Sequence, residues 1–373
     1  MPRLELHQVT RTFVARGAVA VRAVDDLSFT LNDGEFLVIA GPSGSGKTTA
    51  LRLIAGLEKL DHGSITWDGA PIHSLPPLRR DVGMVFQSPA LFPHLNVDDN
   101  IALGLKLRKY PRAEINTRVR DAAELLRLNH CLERLPQTLS GGEKQRVAIA
   151  RVWVRRPRLF LFDEPLSNLE PAIRAELRSE ISSLHRRLGS TTLYVTHDRE
   201  EALILGDRLA IMRAGRLQQI GAAQELYRRP ANRFVANFVG RLGMNFFPGR
   251  FQESGGEMRF ESNDRALSVS LPPATRLSLD PFGQDSVVMG IRPEHLEIVE
   301  PPAAKVIANV VAVQRLGDET RFELTIGENM FMVRTDGSPG ATPQNDVPMG
   351  WNWDNVHWFH AESGMSLRRD SSK

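Results

Sequence analysis

The octapeptide Gly41-Pro42-Ser43-Gly44-Ser45-Gly46-Lys47-Thr48 stands between a short apolar run, Glu35-Phe36-Leu37-Val38-Ile39-Ala40, and the helically spaced Ala50-Leu51-Arg52-Leu53-Ile54-Ala55. Its glycines fall where a strand must turn sharply into a helix. Backbone N–H groups of such a turn, with the helix N-terminus behind them, form a site for phosphate oxygens. Lys47 is placed to reach the β- and γ-phosphates of a nucleotide, and the Thr48 hydroxyl to bind Mg²⁺. The four fixed positions arise by chance in roughly one chain of this length in a hundred. The strand before and the helix after make chance a poorer explanation still.

The rest of the chain bounds what surrounds this turn. Its 373 residues suffice for two domains with separate cores. Contents of 42% hydrophobic and 24% charged residues fit a soluble globular protein. No apolar run approaches the ~18 residues that span a bilayer. The start, Met1-Pro2-Arg3-Leu4-Glu5, lacks the apolar stretch of a signal peptide. The lone cysteine, Cys131, excludes an internal disulfide and fits a reducing compartment. It falls in a helical apolar stretch and reads as packing. A net charge of +3, with Lys and Arg scattered, argues against nucleic acid as a partner.

Residues 1 to about 95 read as strand-rich, with alternation in Leu4-Glu5-Leu6-His7-Gln8-Val9 and again in Gly63-Ser64-Ile65-Thr66-Trp67-Asp68-Gly69. From 97 to 155 the pattern is helical, clearest in Arg118-Val119-Arg120-Asp121-Ala122-Ala123-Glu124-Leu125-Leu126. Strand–helix alternation returns at 159–161, 173–188, 192–195 and 209–212. That order predicts a parallel sheet covered by helices and interrupted by a helical insertion. Beyond Gly240, Gly and Pro punctuate strands expected at 258–261, 266–271, 287–291, 305–313, 321–326 and 330–334, the pattern of a small β-barrel or barrel pair. The polar end, 366–373, is expected to fray.

Three further segments carry chemistry. Arg158-Leu159-Phe160-Leu161-Phe162-Asp163-Glu164-Pro165 is an apolar strand that presents two carboxylates at its carboxyl edge, where α/β sheets bind ligands. Ser140-Gly141-Gly142-Glu143 is a capping box opening a helix, and so a second anion site. Thr196-His197-Asp198 ends another predicted strand.

The phosphate loop, the acid-tipped strand and Leu139-Ser140-Gly141-Gly142-Glu143-Lys144-Gln145-Arg146 together resemble the ATP-binding-cassette (ABC) family, over the whole length of the chain. The resemblance implies an α/β P-loop ATPase domain over residues 1–239, with a parallel sheet, an antiparallel β-subdomain and a helical subdomain at about 97–155. A C-terminal OB-like β-barrel domain for regulation and dimerisation would follow at 240–373. ATP would lie on Gly41, Pro42, Ser43, Gly44, Ser45, Gly46, Lys47, Thr48 and Thr49, with Phe13 stacked on its adenine. Thr48, Asp163 and Gln87, the last in Val85-Phe86-Gln87, would hold Mg²⁺. Glu164 would be the general base, with His197 as the switch histidine on the γ-phosphate and Gln87 beside the attacking water. Ser140, Gly141 and Gly142 would bind the γ-phosphate held by the other subunit, which makes the working unit a homodimer or a dimer with a paralogous ATPase.

The resemblance also places the chain in a branch of that family. Met244-Asn245-Phe246-Phe247-Pro248-Gly249, Gly290-Ile291-Arg292-Pro293-Glu294-His295 and Val356-His357-Trp358-Phe359-His360-Ala361-Glu362-Ser363-Gly364 look like markers of ATPase subunits from bacterial carbohydrate and glycerol-3-phosphate importers of the maltose type. A sulfate, iron, polyamine or molybdate importer is the alternative. Two integral-membrane permease chains would dock on the apolar segment Ser88-Pro89-Ala90-Leu91-Phe92-Pro93-His94-Leu95, at the cytoplasmic face of the inner membrane. An extracytoplasmic solute-binding protein would join through them. Glu170, in Leu166-Ser167-Asn168-Leu169-Glu170, stands where the family carries Asp.

Overall fold

The apolar runs found by sequence become the middle of a sheet that water does not reach. The computed structural model describes residues 3–14, 19–254, 256–277, 286–337 and 343–368, in two units that meet between Ala223 and Gln224. The first unit holds β1 (Arg3–Phe13), β2 (Val21–Asn32), β3 (Phe36–Ala40), α1 (Lys47–Ala55), β4 (His62–Trp67), β5 (Ala70–Pro71) and β6 (Val82–Val85). Next come α2 (Val97–Leu107), α3 (Arg112–Leu125), α4 (Gly141–Trp153), β7 (Leu159–Asp163), α5 (Pro171–Leu188), β8 (Thr191–Thr196), α6 (Arg199–Leu205), β9 (Arg208–Arg213) and β10 (Arg216–Gly221).

Six strands form the central sheet in the order β10-β9-β3-β8-β7-β6. All neighbours are parallel except the edge strand β10. Every residue of β3, β7 and β8 is buried. A strand covered on both faces has no use for polar alternation, which explains Phe-Leu-Val-Ile-Ala and Leu-Phe-Leu-Phe. Leu51, Leu53 and Ile54 of α1 pack on Leu37, Ile39, Leu161 and Leu193 of this sheet. The second sheet, β2-β1-β4-β5, is antiparallel. Its inward residues Leu4, Leu6, Leu27, Phe29, Leu31 and Ile65 join the same core. The turn from β3 into α1 therefore lies at the carboxyl edge of the parallel sheet.

The insertion is less helical than its periodicity suggests. Between α3 and α4 the chain runs through two 3₁₀ turns, Asn129–Cys131 and Pro136–Thr138. Cys131 is fully buried in the first, so it packs as expected, but from a turn and not from an α-helix.

The second unit begins within α7 (Ala223–Arg228) and continues with α8 (Arg233–Phe238), β11 (Asn245–Ser254), β12 (Glu257–Ser262), β13 (Ser268–Ser270) and α9 (Pro273–Leu277). It closes with β14 (Val287–Ile291), β15 (Leu296–Ile298), β16 (Val306–Leu316), β17 (Glu319–Ile326), β18 (Asn329–Asp336), β19 (Asp346–Trp351) and β20 (Val356–His360). Two five-stranded antiparallel sheets, β13-β12-β11-β14-β20 and β15-β19-β16-β17-β18, form a nearly closed barrel. They share one core: Phe247, Phe260 and Met289 of the first meet Phe322, Leu324, Val333 and Met349 of the second. The Asn245 side chain ties the sheets by bonding the Met332 backbone at 2.7 and 2.9 Å.

Two expectations for this unit change. β11, β15 and β19 have no counterpart among the strands read from sequence, because Leu296–Ile298 is short and both Asn245–Ser254 and Asp346–Trp351 carry a proline and a glycine. The chain end does not fray at Ser366: Met365 and Ser366 pair with Asn232 and Phe359, and Leu367 is buried. Residues 369–373 lie outside the described residues.

Candidate active site

Four strand ends, those of β3, β6, β7 and β8, and one helix start converge at the carboxyl edge of the parallel sheet. After β3 the chain enters the loop, where Gly41 and Gly46 have no alternative. A Cβ on Gly41 would stand 2.2 Å from the Met212 carbonyl oxygen. One on Gly46, at φ +98°, would stand 2.1 Å from the Ala23 carbonyl oxygen. Lys47 then opens α1 with its ammonium buried, donating to the carbonyls of Gly41 at 3.0 Å and Pro42 at 2.9 Å. Pro42, Ser43 and Gly44 form the exposed crest of the loop. Ser45 is buried, and its hydroxyl has no hydrogen-bond partner among the described residues. Thr49 follows Thr48 in the first turn of α1.

β7 delivers the two acids. Thr48 Oγ1 donates to Asp163 Oδ1 at 2.7 Å. Glu164 leaves the strand in the left-handed region, at φ 45°, its N–H bonded to the Val195 carbonyl at 3.0 Å. That turn carries Glu164 Oε1 to 3.7 Å from Lys47 Nζ and Oε2 to 2.7 Å from His197 Nδ1. Burial pulls the Lys47 pKa below its ordinary value, while Glu164 and Asp163 oppose that shift. Burial also pushes the Asp163 carboxyl pKa up, against the hydrogen bond from Thr48. One buried cation thus faces two carboxylates, an arrangement that a further cation would stabilise.

His197 is aimed by a buried brace. Tyr194 and Thr196 both donate to Glu201 Oε2, at 2.9 and 2.7 Å. Asp198 caps α6 through the N–H groups of Glu200 and Glu201. Gln87 Nε2 donates to Ser167 Oγ at 3.2 Å, and that hydroxyl donates to the Glu164 carbonyl at 3.0 Å. The structure therefore brings Lys47, Thr48, Gln87, Asp163, Glu164 and His197 into one bonded set.

Phe13 and the serine–glycine turn stand apart from that set. Phe13 is 38% exposed at the end of β1, with the Arg11 guanidinium 4.8 Å over its ring, so it is not a core residue. Ser140 caps α4: its Oγ accepts from Glu143 N at 3.2 Å, and its N–H donates to Glu143 Oε2 at 2.7 Å. Gly141 and Gly142 abut Leu169 and Ile173, and a Cβ on Gly142 would stand 2.7 Å from Ile173. Among the described residues, no hydrogen bond joins this turn to Lys47 or Glu164.

Sequence reasoning missed Arg174. Its guanidinium pairs with Asp198 at 3.0 Å and reaches the Leu169 carbonyl at 3.1 Å and the Ser167 carbonyl at 3.4 Å. It clamps residues 167–169 to the turn that carries His197. A signal was present: an arginine in the first turn of α5 opposes the helix dipole, which favours acids there. Local conflict of that kind marks a residue with a tertiary task.

A phosphate loop, two carboxylates at a strand end and a histidine bonded to one of them, all on one parallel sheet, define a nucleotide-dependent ATPase of the P-loop class. Comparison with known proteins agrees. Residues 24–167 match the family described as ABC transporter, 243–296 the MalK OB fold domain and 289–359 the TOBE domain. The uncharacterised ABC transporter ATP-binding protein YurJ of Bacillus subtilis is 42% identical, over 91% of this chain and 94% of its own. The multiple sugar-binding transport ATP-binding protein MsmK of Streptococcus mutans is 41% identical, over 93% and 95%. The sn-glycerol-3-phosphate import ATP-binding protein UgpC of Cupriavidus pinatubonensis is 40% identical, over 98% and 100%. A solved dimeric structure of the ATP-binding cassette MJ0796, bound to ADP and Pi, superposes with a TM-score of 0.54 and 30% identity, covering 59% of this chain and 98% of that one. The chain belongs to the family of ABC transporter ATP-binding proteins.

Proposed function

We propose that this chain is the ATP-hydrolysing subunit of a bacterial importer, powering uptake of a carbohydrate, polyol or glycerol-3-phosphate through two separate permease chains. The observation that carries the ATPase reading is the set Lys47–Glu164–His197 beside Thr48–Asp163. The substrate class is supported by full-length similarity to MsmK and UgpC and by the MalK-type second unit.

Lys47 releases the Gly41 and Pro42 carbonyls and takes phosphate oxygens in their place. Glu164 accepts the proton of the water that attacks the γ-phosphate, and its bond to His197 fixes the carboxylate's direction. Gln87 orients that water from the end of the neighbouring parallel strand β6. Thr48 and Asp163 offer hard oxygen donors 2.7 Å apart, next to an excess of buried negative charge, which suits Mg²⁺. With Gln87 they would hold the ion, which supplies charge neutralisation on the β- and γ-phosphates when bound. Phe13 stacks on adenine from the rim.

Ser140, Gly141 and Gly142 serve the nucleotide of a second subunit, identical or paralogous, as the dimeric cassette relatives support. The complex sits at the cytoplasmic face of the inner membrane and works with an extracytoplasmic solute-binding protein. Among the described residues, no helix is long and apolar enough to cross a membrane. Uptake of labelled sugars, polyols and glycerol-3-phosphate should fall for one class in a strain lacking this chain. Wild type should restore it and Glu164→Gln should not. Undiminished uptake of every such solute in the deletion strain would contradict the substrate class.

A further inference from the structure

Next to the Ser140 turn lies a group of side chains that the nucleotide chemistry does not use. His130, Cys131 and Glu143 each bring one ligand atom into a cluster in which all lie within 4.8 Å of one another. His130 Nε2 is 2.9 Å from Glu143 Oε1, while Glu143 Oε2 is occupied by the Ser140 N–H. The Cys131 thiol points at the Leu128 carbonyl, 3.2 Å away. Imidazole, thiolate and carboxylate are the ligand types of zinc sites with an open fourth position. A tetrahedral zinc needs such ligand atoms about 3.3–3.6 Å apart. The adjustment falls on His130, which is exposed, and on one oxygen of Glu143. Cys131 is held at the buried end of the cluster, and His130 at the solvent end.

We propose that His130 Nε2, Cys131 Sγ and Glu143 Oε1 form a binding site for a thiophilic divalent cation of the zinc class. Binding exchanges the Cys131 S–H bond for a sulfur–metal bond and releases that proton to solvent. The His130–Glu143 hydrogen bond gives way on binding: the imidazole proton moves to Nδ1, Nε2 turns its lone pair to the ion, and Glu143 Oε1 becomes a ligand in place of an acceptor. Glu143 keeps its bond to the Ser140 N–H through Oε2, so the ion braces the start of α4 without undoing the capping box.

The experiment uses the intact chain and cobalt(II) as a spectroscopic probe. Because Cys131 is the only cysteine, a thiolate-to-cobalt charge-transfer band can arise from no other residue. The site predicts a band that saturates at one cobalt per chain, disappears on adding zinc and leaves the far-ultraviolet circular dichroism unchanged. His130→Gln, at an exposed position, should keep the fold and basal ATP turnover. It should weaken cobalt binding at least about tenfold, the lower end of what even an outer-shell partner costs. No band with folded protein, a band of equal affinity in His130→Gln, or a band that grows only as helix signal is lost would each overturn the proposal. The readout is independent of ATP hydrolysis, so its failure leaves the importer reading untouched.

Discussion

Glu164 sits in a backbone conformation that costs a non-glycine residue on the order of 1 kcal/mol or more. The cost is tolerated because both its backbone groups are held, the N–H by Val195 and the carbonyl by Ser167 Oγ. The same turn is what brings its carboxylate to His197. Arg174 completes the frame by gripping Ser167 and Leu169 with one arm and Asp198 with the other. Removing that fork should loosen Glu164 and His197 together. Arg174→Ala is expected to lower kcat at least about tenfold with little change in KM for ATP, because positioning acts on the chemical step. Arg174→Lys should recover only part of the loss, since an ammonium cannot span both partners. Steady-state kinetics on the two variants decide this; an unchanged kcat in Arg174→Ala would remove the clamp from the account.

Two elements show what a sequence carries and what it hides. Segment 88–95 reads as a hydrophobic loop beside Gln87, and the structure gives it a fixed shape. Asn100, fully buried, bonds the backbone of Phe92, Leu95 and Asn96, and Arg151 bonds the Ala90 carbonyl at 2.6 Å. Phe92 is nonetheless 41% exposed. A rigid loop presenting an aromatic to solvent suits a partner surface. Replacing Leu91 and Phe92 with Ser should spare ATP binding and weaken association with the permeases in pull-down; undiminished association would place the contact elsewhere.

Arg292 is the converse case. As part of Gly290-Ile291-Arg292-Pro293 it reads only as a family marker. In the structure it is wholly buried over the Tyr227 ring, at 3.8 Å, donating to the carbonyls of Tyr227, Ala236 and Val239. Arg292→Leu leaves those carbonyls without their donor, which should destabilise the second unit by about 3 kcal/mol or more. Thermal unfolding followed by tryptophan fluorescence measures that loss. The parallel sheet was legible because strands covered on both faces are apolar throughout, and the phosphate loop because glycine is forced at two positions. β19 was not, since Val347-Pro348-Met349-Gly350 breaks both propensity and alternation and is held by its neighbours β15 and β16. Arg174 and Ser167 were hidden for a related reason: their roles depend on where three separated strand ends meet.

At the scale of the whole molecule, one chain gathers Lys47, Thr48, Asp163, Glu164 and His197 at the loop, while among the described residues its Ser140 turn has no hydrogen bond to Lys47 or Glu164. With Ser140 serving the partner's nucleotide, as proposed above, hydrolysis belongs to the pair of subunits. The two proposed roles, Glu164 taking the proton and Ser140 closing the partner's site, separate in one measurement. Size-exclusion chromatography with Mg·ATP should show Glu164→Gln as a stable dimer with turnover abolished, because an amide of the same shape cannot accept the proton. Asp163→Asn should lose the dimer along with the rate, and so should Glu164→Gln combined with Ser140→Arg. Near-normal turnover in Glu164→Gln, or an ATP-dependent dimer that survives Ser140→Arg, would contradict the account.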